Sequence, residues 1–180
     1  MQIIPFGQYK TNNYHLKKLL TILILLLSNN MIAQVNHHYT DLPKCTGYVN
    51  DFEKLFDDNQ RRDLTSIITN FEKETSSEIA VVTVGSIGQY TDFLIYSIDL
   101  ASFWGIGKKD KNNGLLILVS KNLRKVRIST GRGTEKILND EICKMVIDTK
   151  MIPEFKAGNY YQGVKNGLLN LIEYLKNPPF

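Results

Sequence analysis

Histidine is scarce in this chain. Its 180 residues include only His15, His37 and His38, all near the N-terminus. The rest of the chain has no imidazole, which excludes a Ser-His-Asp or Cys-His catalytic pair and an ordinary zinc hydrolase centre there. Cysteine is nearly as rare, with Cys45 and Cys143 alone. Two isolated thiols suit either one long-range bridge or two unpaired groups. No Gly-x-x-x-x-Gly-Lys-Ser/Thr run occurs, so there is no phosphate-cradling P-loop. Gly131-Arg132-Gly133 lacks a third glycine and does not follow the first strand of a βαβ unit, which makes a dinucleotide fingerprint a poor reading. No internal repeat and no low-complexity segment is present.

Strong net charge is missing as well. The formal value is +4, but Lys10, Lys17 and Lys18 lie in an N-terminal stretch without acidic residues. Without that stretch, 19 basic residues face 18 acidic ones. Nucleic-acid binding driven by bulk charge is excluded. Lys108, Lys109 and Lys111 form a local basic patch, read as a solvated loop rather than an anion site.

The first 33 residues read as a signal peptide. Lys10, His15, Lys17 and Lys18 precede the apolar run Leu19–Leu27, which is shorter than the roughly 20 residues of a membrane span. Cleavage is expected after Ala33, giving an exported, periplasmic or secreted protein. Membrane contact is expected only through an uncleaved leader. Residues 34–46 read as a linker, its His37-His38 pair solvated, and residues 47–177 as one domain.

Asp57-Asp58 precede Leu64, Ile67, Ile68 and Phe71, one face of a helix. Glu78–Val84 is an apolar, β-branched run that suits a buried strand. Thr91-Asp92 opens a second helix, which Gly105 and Gly107 end. Gly114–Ser120 is a second buried strand, Lys121–Arg124 a turn, and Lys125–Thr130 an alternating strand that closes a hairpin. Asn139-Asp140 caps a third helix that Pro153 is expected to interrupt. A last helix carries Tyr161, Val164, Leu168, Leu171, Ile172 and Leu175 on one face. The order α-β-α-β-β-α-α, with about four helices, predicts a small mixed α/β sheet covered on both faces.

The loops beside the hairpin carry further marks. Trp104-Gly-Ile-Gly107, Asn113-Gly114, Gly131-x-Gly133-x-Glu135 and Asp140 follow one another, with Val49-Asn50-Asp51 upstream. In order and spacing these motifs resemble the TPM domain, named for plant thylakoid lumen, photosystem II repair and nematode receptor-accessory proteins. The resemblance runs from about Gly47 to Leu175. It implies a three-layer α/β/α sandwich, a divalent metal at the matching positions, and either acid phosphatase activity or a role in assembling other proteins.

Asp110-Lys-Asn-Asn-Gly114 fails as an EF-hand: the glycine comes one position early and Lys121 stands where the closing Glu belongs. A metal site must therefore be assembled from separate segments. Gly131–Asp140 follow the antiparallel partner of the strand that Asn113 precedes, so both lie at one sheet end. Asp51, Asn113, Glu135 and Asp140 are then the expected oxygen ligands of Ca²⁺ or Mg²⁺, with Gly114, Gly131 and Gly133 shaping the loops. Each acid also has a structural reading, as a turn or cap residue. On the phosphatase reading, Asp51 is nucleophile or base and the substrate a phosphorylated small molecule. On the other reading, the same groove binds an envelope protein.

Overall fold

The computed structural model of the chain describes residues 42–178, together with Lys18. The signal peptide and most of the linker lie outside the described residues. Among those described, no helix is long and apolar enough to cross a membrane. The fold belongs to the unit that begins at His38. It takes up chain earlier than Gly47: Leu42 is buried against the second helix, and the Pro43 carbonyl accepts the Trp104 indole N–H at 2.8 Å.

Four strands form one sheet in the order β1-β2-β3-β4: Val49–Asp51, Glu78–Thr83, Gly114–Ser120 and Lys125–Thr130. The first three are parallel, and β4 returns antiparallel beside β3. Every residue of β3 is buried, as its unbroken apolar run requires. The strand β1 is too short for any periodicity, and pairing with β2 turns the expected lead-in into an edge strand.

Helix α1, Asp58–Thr75, starts at Asp57, whose side chain forms a capping box with Gln60. Helix α2, Phe93–Trp104, is capped by Asp92 and ends at Gly105, which adopts the left-handed φ of 63° that glycine tolerates. A rod of helix then runs through residues 140–156 in three pieces: α3, Asp140–Val146; a π-helical segment, Ile147–Met151; and α4, Ile152–Lys156. Pro153 does not interrupt this rod. It sits in the first turn of α4, where the preceding register change leaves no demand for its missing N–H. Asn139, not Asp140, caps α3. Helix α5, Tyr160–Lys176, closes the fold.

Alternation along the strands divides the core. Ile79, Val81, Leu115, Ile117, Val119 and Ile128 face α1, the rod and α5. Ala80, Val82, Leu116 and Leu118 face α2. The result is the expected three-layer sandwich. The crossovers β1-α1-β2 and β2-α2-β3 step the same way across the sheet but cover opposite faces. They are therefore of opposite hand, and one departs from the strong right-handed preference.

Both cysteines are free thiols. Cys45 is exposed, whereas Cys143 faces the core, where burial pushes its thiol up to about 11.

Candidate functional site

The sheet register separates the expected ligands. Asp51 pairs with Thr83, Thr83 with Val119, and Val119 with Val126. Asp51 thus stands at the rim that carries the β3–β4 turn. Asn113 precedes Gly114, which pairs with Glu78, and Gly131 follows β4 at that same far rim. The seven residues of β3 put about 20 Å between the rims. Asn113 and the Gly131–Asp140 segment do share a rim, but Asp51 does not join them. Because β1 is parallel to its neighbours, its last residue lies at their C-terminal ends. A single centre built from Asp51, Asn113, Glu135 and Asp140 is not assembled.

Asp51 is occupied where it stands. Its side chain is 1% exposed. One oxygen accepts the Leu55 N–H at 2.9 Å and the Thr83 hydroxyl at 2.5 Å; the other accepts the Phe56 N–H at 2.8 Å. The Arg61 guanidinium lies 3.8 Å away. A carboxylate so enclosed fixes the turn into α1 and is shielded from an incoming phosphoryl group.

The far rim is held by main-chain packing. A Cβ on Gly133 would lie 2.1 Å from the Lys111 carbonyl oxygen, and one on Gly114 would lie 2.1 Å from that of Ile106. Gly131 meets the Asn112 carbonyl in the same way, at 2.3 Å. These loop-shaping glycines let two loops interlock. The Asn113 side chain is spent within that lock, accepting from the Lys108 N–H at 2.9 Å and donating to the Ser76 carbonyl at 2.9 Å. Burial raises the pKa of Glu78 nearby, but hydrogen bonds from Lys108 and the Gly107 N–H outweigh it and hold the carboxyl below its ordinary value. That tie stabilises the fold above the ordinary carboxylate range and is lost as pH falls through the lowered pKa. Arg132, Glu135 and Asp140 are exposed. Asp140 lies in the first turn of α3, where its charge favours the helix end. Among the described residues, no three His, Cys, Asp or Glu side chains gather to hold a metal ion. With Asn113 spent and Asp51 at the other rim, the expected set does not fit Ca²⁺ or Mg²⁺.

One concave feature that gathers cations lies at the hairpin rim. A cleft of about 540 Å³ opens between the β3–β4 turn and the α4–α5 corner. Val119, Val126, Ile152 and Phe155 line it with apolar surface, and Arg124, Lys156 and Tyr160 bring polar groups; Lys125 borders it, but its ammonium lies over the Phe93 ring at 5.8 Å. Among the described residues, Lys121, Arg124, Lys125 and Lys156 take part in no ion pair. The Lys121 ammonium lies over the Tyr160 ring at 5.6 Å, while Phe155 stacks on that ring at 5.1 Å. The turn is tied down by Glu53, whose carboxylate accepts the Lys121 and Asn122 N–H groups at 2.9 and 2.7 Å. The Glu53 N–H in turn donates to the Thr83 hydroxyl oxygen at 3.1 Å. Sequence reasoning took residues 121–124 as a turn only. The available signal was three cations within five residues, Lys121, Arg124 and Lys125.

Residues 49–174 match the TPM domain. The chain belongs to the TPM domain family. Solved structures agree. The N-terminal domain of a P. gingivalis protein is 34% identical, with 73% of this chain and 83% of that one covered and a TM-score of 0.67. The BA42 protein of Bizionia argentinensis is 22% identical over 69% of this chain and 83% of its own, at a TM-score of 0.60. The N-terminal domain of the cg2496 protein of Corynebacterium glutamicum shares the fold at 14% identity and a TM-score of 0.53, over 74% of this chain and 80% of that one. No curated protein matches.

Two substitutions test these assignments in the TPM domain. Gly133→Ala should lower the urea unfolding free energy by about 2–3 kcal/mol. Gly85→Ala, whose Cβ would meet only ordinary contacts at 3.8 Å, should change it by less than about 0.5 kcal/mol. Equal effects would contradict the interlock. Asp51→Ala should cost roughly 3 kcal/mol by stranding two N–H groups and a hydroxyl. A variant of unchanged stability would show that the carboxylate is held for another purpose.

Proposed function

We propose that this TPM domain is a non-catalytic binding module for an anionic partner, which it holds in the hairpin-rim cleft. The observation that carries this reading is the convergence of Arg124 and Lys156 on one concave surface beside the Lys121 ammonium, with no ion-pair partner for any of the three among the described residues. The cleft also lies beside the C-terminal ends of the parallel strands, where open α/β sheets usually bind ligands. Like charges gathered at a low-dielectric wall attract anions more strongly than the same charges scattered. The leader read from the sequence would deliver the module, and so its partner, to the envelope or beyond.

The competing reading, a metal-dependent phosphatase, needs a nucleophile or base within reach of a bound metal. Asp51 was the candidate for that role, and its side chain is 1% exposed and already accepts three hydrogen bonds. The anion-binding reading therefore rests on accessible groups, whereas the nucleophile of the phosphatase reading is enclosed.

One sample can decide between them. Amide NMR shifts are followed during titration with hexaglutamate at low salt, and turnover of a phosphomonoester is measured with Ca²⁺, with Mg²⁺ and with chelator. The expected shifts fall on residues 120–126 and 152–160. Arg124→Glu combined with Lys156→Glu should weaken binding at least about tenfold, or roughly 1.4 kcal/mol. No metal-dependent turnover is expected. Turnover abolished by Glu135→Ala, or shifts confined to the Asn113 rim, would overturn the proposal in favour of a phosphatase centred there.

A further inference from the structure

The cleft is not uniformly charged, and its division narrows the choice of ligand. Its inner wall is hydrocarbon: Val119, Val126, Ile152 and Phe155. Val119 is almost fully buried, and the other three are half-buried. The cations Arg124 and Lys156 are exposed at the mouth, whereas the Lys125 ammonium lies over the Phe93 ring of α2 at 5.8 Å. A bare phosphate or a uniformly acidic segment would use the mouth and leave the wall wetted.

The main chain of the β4 edge adds a third element. Gly131 donates its N–H to the Gly114 carbonyl, and Leu115 stands opposite Thr130. In an antiparallel ladder, bonded and non-bonded pairs alternate. Arg127 and Ser129 therefore turn their main-chain groups toward β3, and Val126 turns its N–H and C=O outward. Among the described residues, no hydrogen bond satisfies those Val126 groups. Val126 also lines the cleft, so a donor, an acceptor, an apolar wall and a cationic mouth meet at one end of an edge strand.

We infer that the cleft takes the free C-terminus of a partner chain that ends in an apolar residue. The inference rests on the anion-binding reading and specifies its ligand. The terminal carboxylate meets Arg124 and Lys156. The last side chain packs on Val126, Ile152 and Phe155. The penultimate peptide group pairs with the outward main chain of Val126, as in short strand addition. A small apolar acid offers the same carboxylate and hydrocarbon but nothing for Val126 to bond. A second copy of this chain fits the site poorly, because its own β4 brings Lys125 and Arg127 and would face like charge with like charge.

The test uses three hexapeptides: acetyl-Gly-Ser-Gly-Ser-Val-Leu with a free carboxylate, the same peptide amidated, and a version ending in Ser. The fourth probe is 4-methylpentanoate. Affinity and amide shifts are read by NMR on the parent and on Arg124→Glu, an exposed change that leaves the core intact. The free-acid Leu peptide should bind at least about tenfold more tightly than either altered peptide and than the small acid. Its binding should slow exchange of the Val126 amide and should be lost in Arg124→Glu. Equal binding of the amidated or Ser-ending peptide overturns the inference. So does a small acid that binds as well as the peptide, which would make the site one for free acids. If hexaglutamate still shifts the cleft while these peptides show no preference, the inference fails and the anion-binding reading stands. If no probe perturbs the cleft, both fail.

Discussion

A buried carboxylate organises the hairpin rim of this molecule. Asp51 closes β1, receives the Thr83 hydroxyl from β2, and gathers two N–H groups of the turn that leads into α1. The same Thr83 oxygen receives the Glu53 N–H, and the Glu53 carboxylate caps two N–H groups of the β3–β4 turn. One chain of hydrogen bonds thus runs across the rim from the first strand to the hairpin. Hydrogen bonds to ionised acceptors are the stronger kind, and both ends of this chain are carboxylates. Without it, the turn that carries Lys121 and Arg124 would lose two of its main-chain ties, and side chains on mobile loops lose much of their attraction for a partner to ordering entropy.

The opposite wall of the cleft comes from the helical rod. Its π-helical segment shifts the register between α3 and α4, and α4 delivers Ile152, Phe155 and Lys156 to the cleft. Close packing supports this placement: a Cβ on Gly163 would lie 2.5 Å from the Phe155 ring, and one on Gly167 would lie 2.7 Å from Met151. Here α5 gives up side chains so that the rod can approach. The far rim does something different. Its glycines interlock two loops and its asparagine pins them, so the most conspicuous motifs in the sequence serve the architecture.

Much of the fold was legible. The bounds of β3 and β4, the caps at Asp57, Asp92 and Asn139, and the helical stop at Gly105 all follow from local chemistry that acts within a few residues. The two-faced sheet followed from element order. What was hidden depended on pairing at a distance. Three residues at Val49–Asp51 have no readable period, so the direction of β1, and with it the rim on which Asp51 lies, came only from its register with β2. Pro153 looked like a helix breaker because a register change in the preceding turn leaves no mark in composition. The cleft joins residues 119–126 to residues 152–160, and nothing local links those segments. The placement of Asn113 and the Gly131–Asp140 segment at one rim was correctly inferred from the hairpin, but Asp51 lies at the other.

Glu53 offers the most direct test, since it joins the buried carboxylate to the cationic turn without itself lining the cleft. Glu53→Ala should leave unfolding cooperative, speed amide exchange at Lys121 and Asn122, and weaken hexaglutamate binding by about tenfold. A loosened turn that binds as tightly as the parent would contradict the account, because the cations would then need no support from the rim.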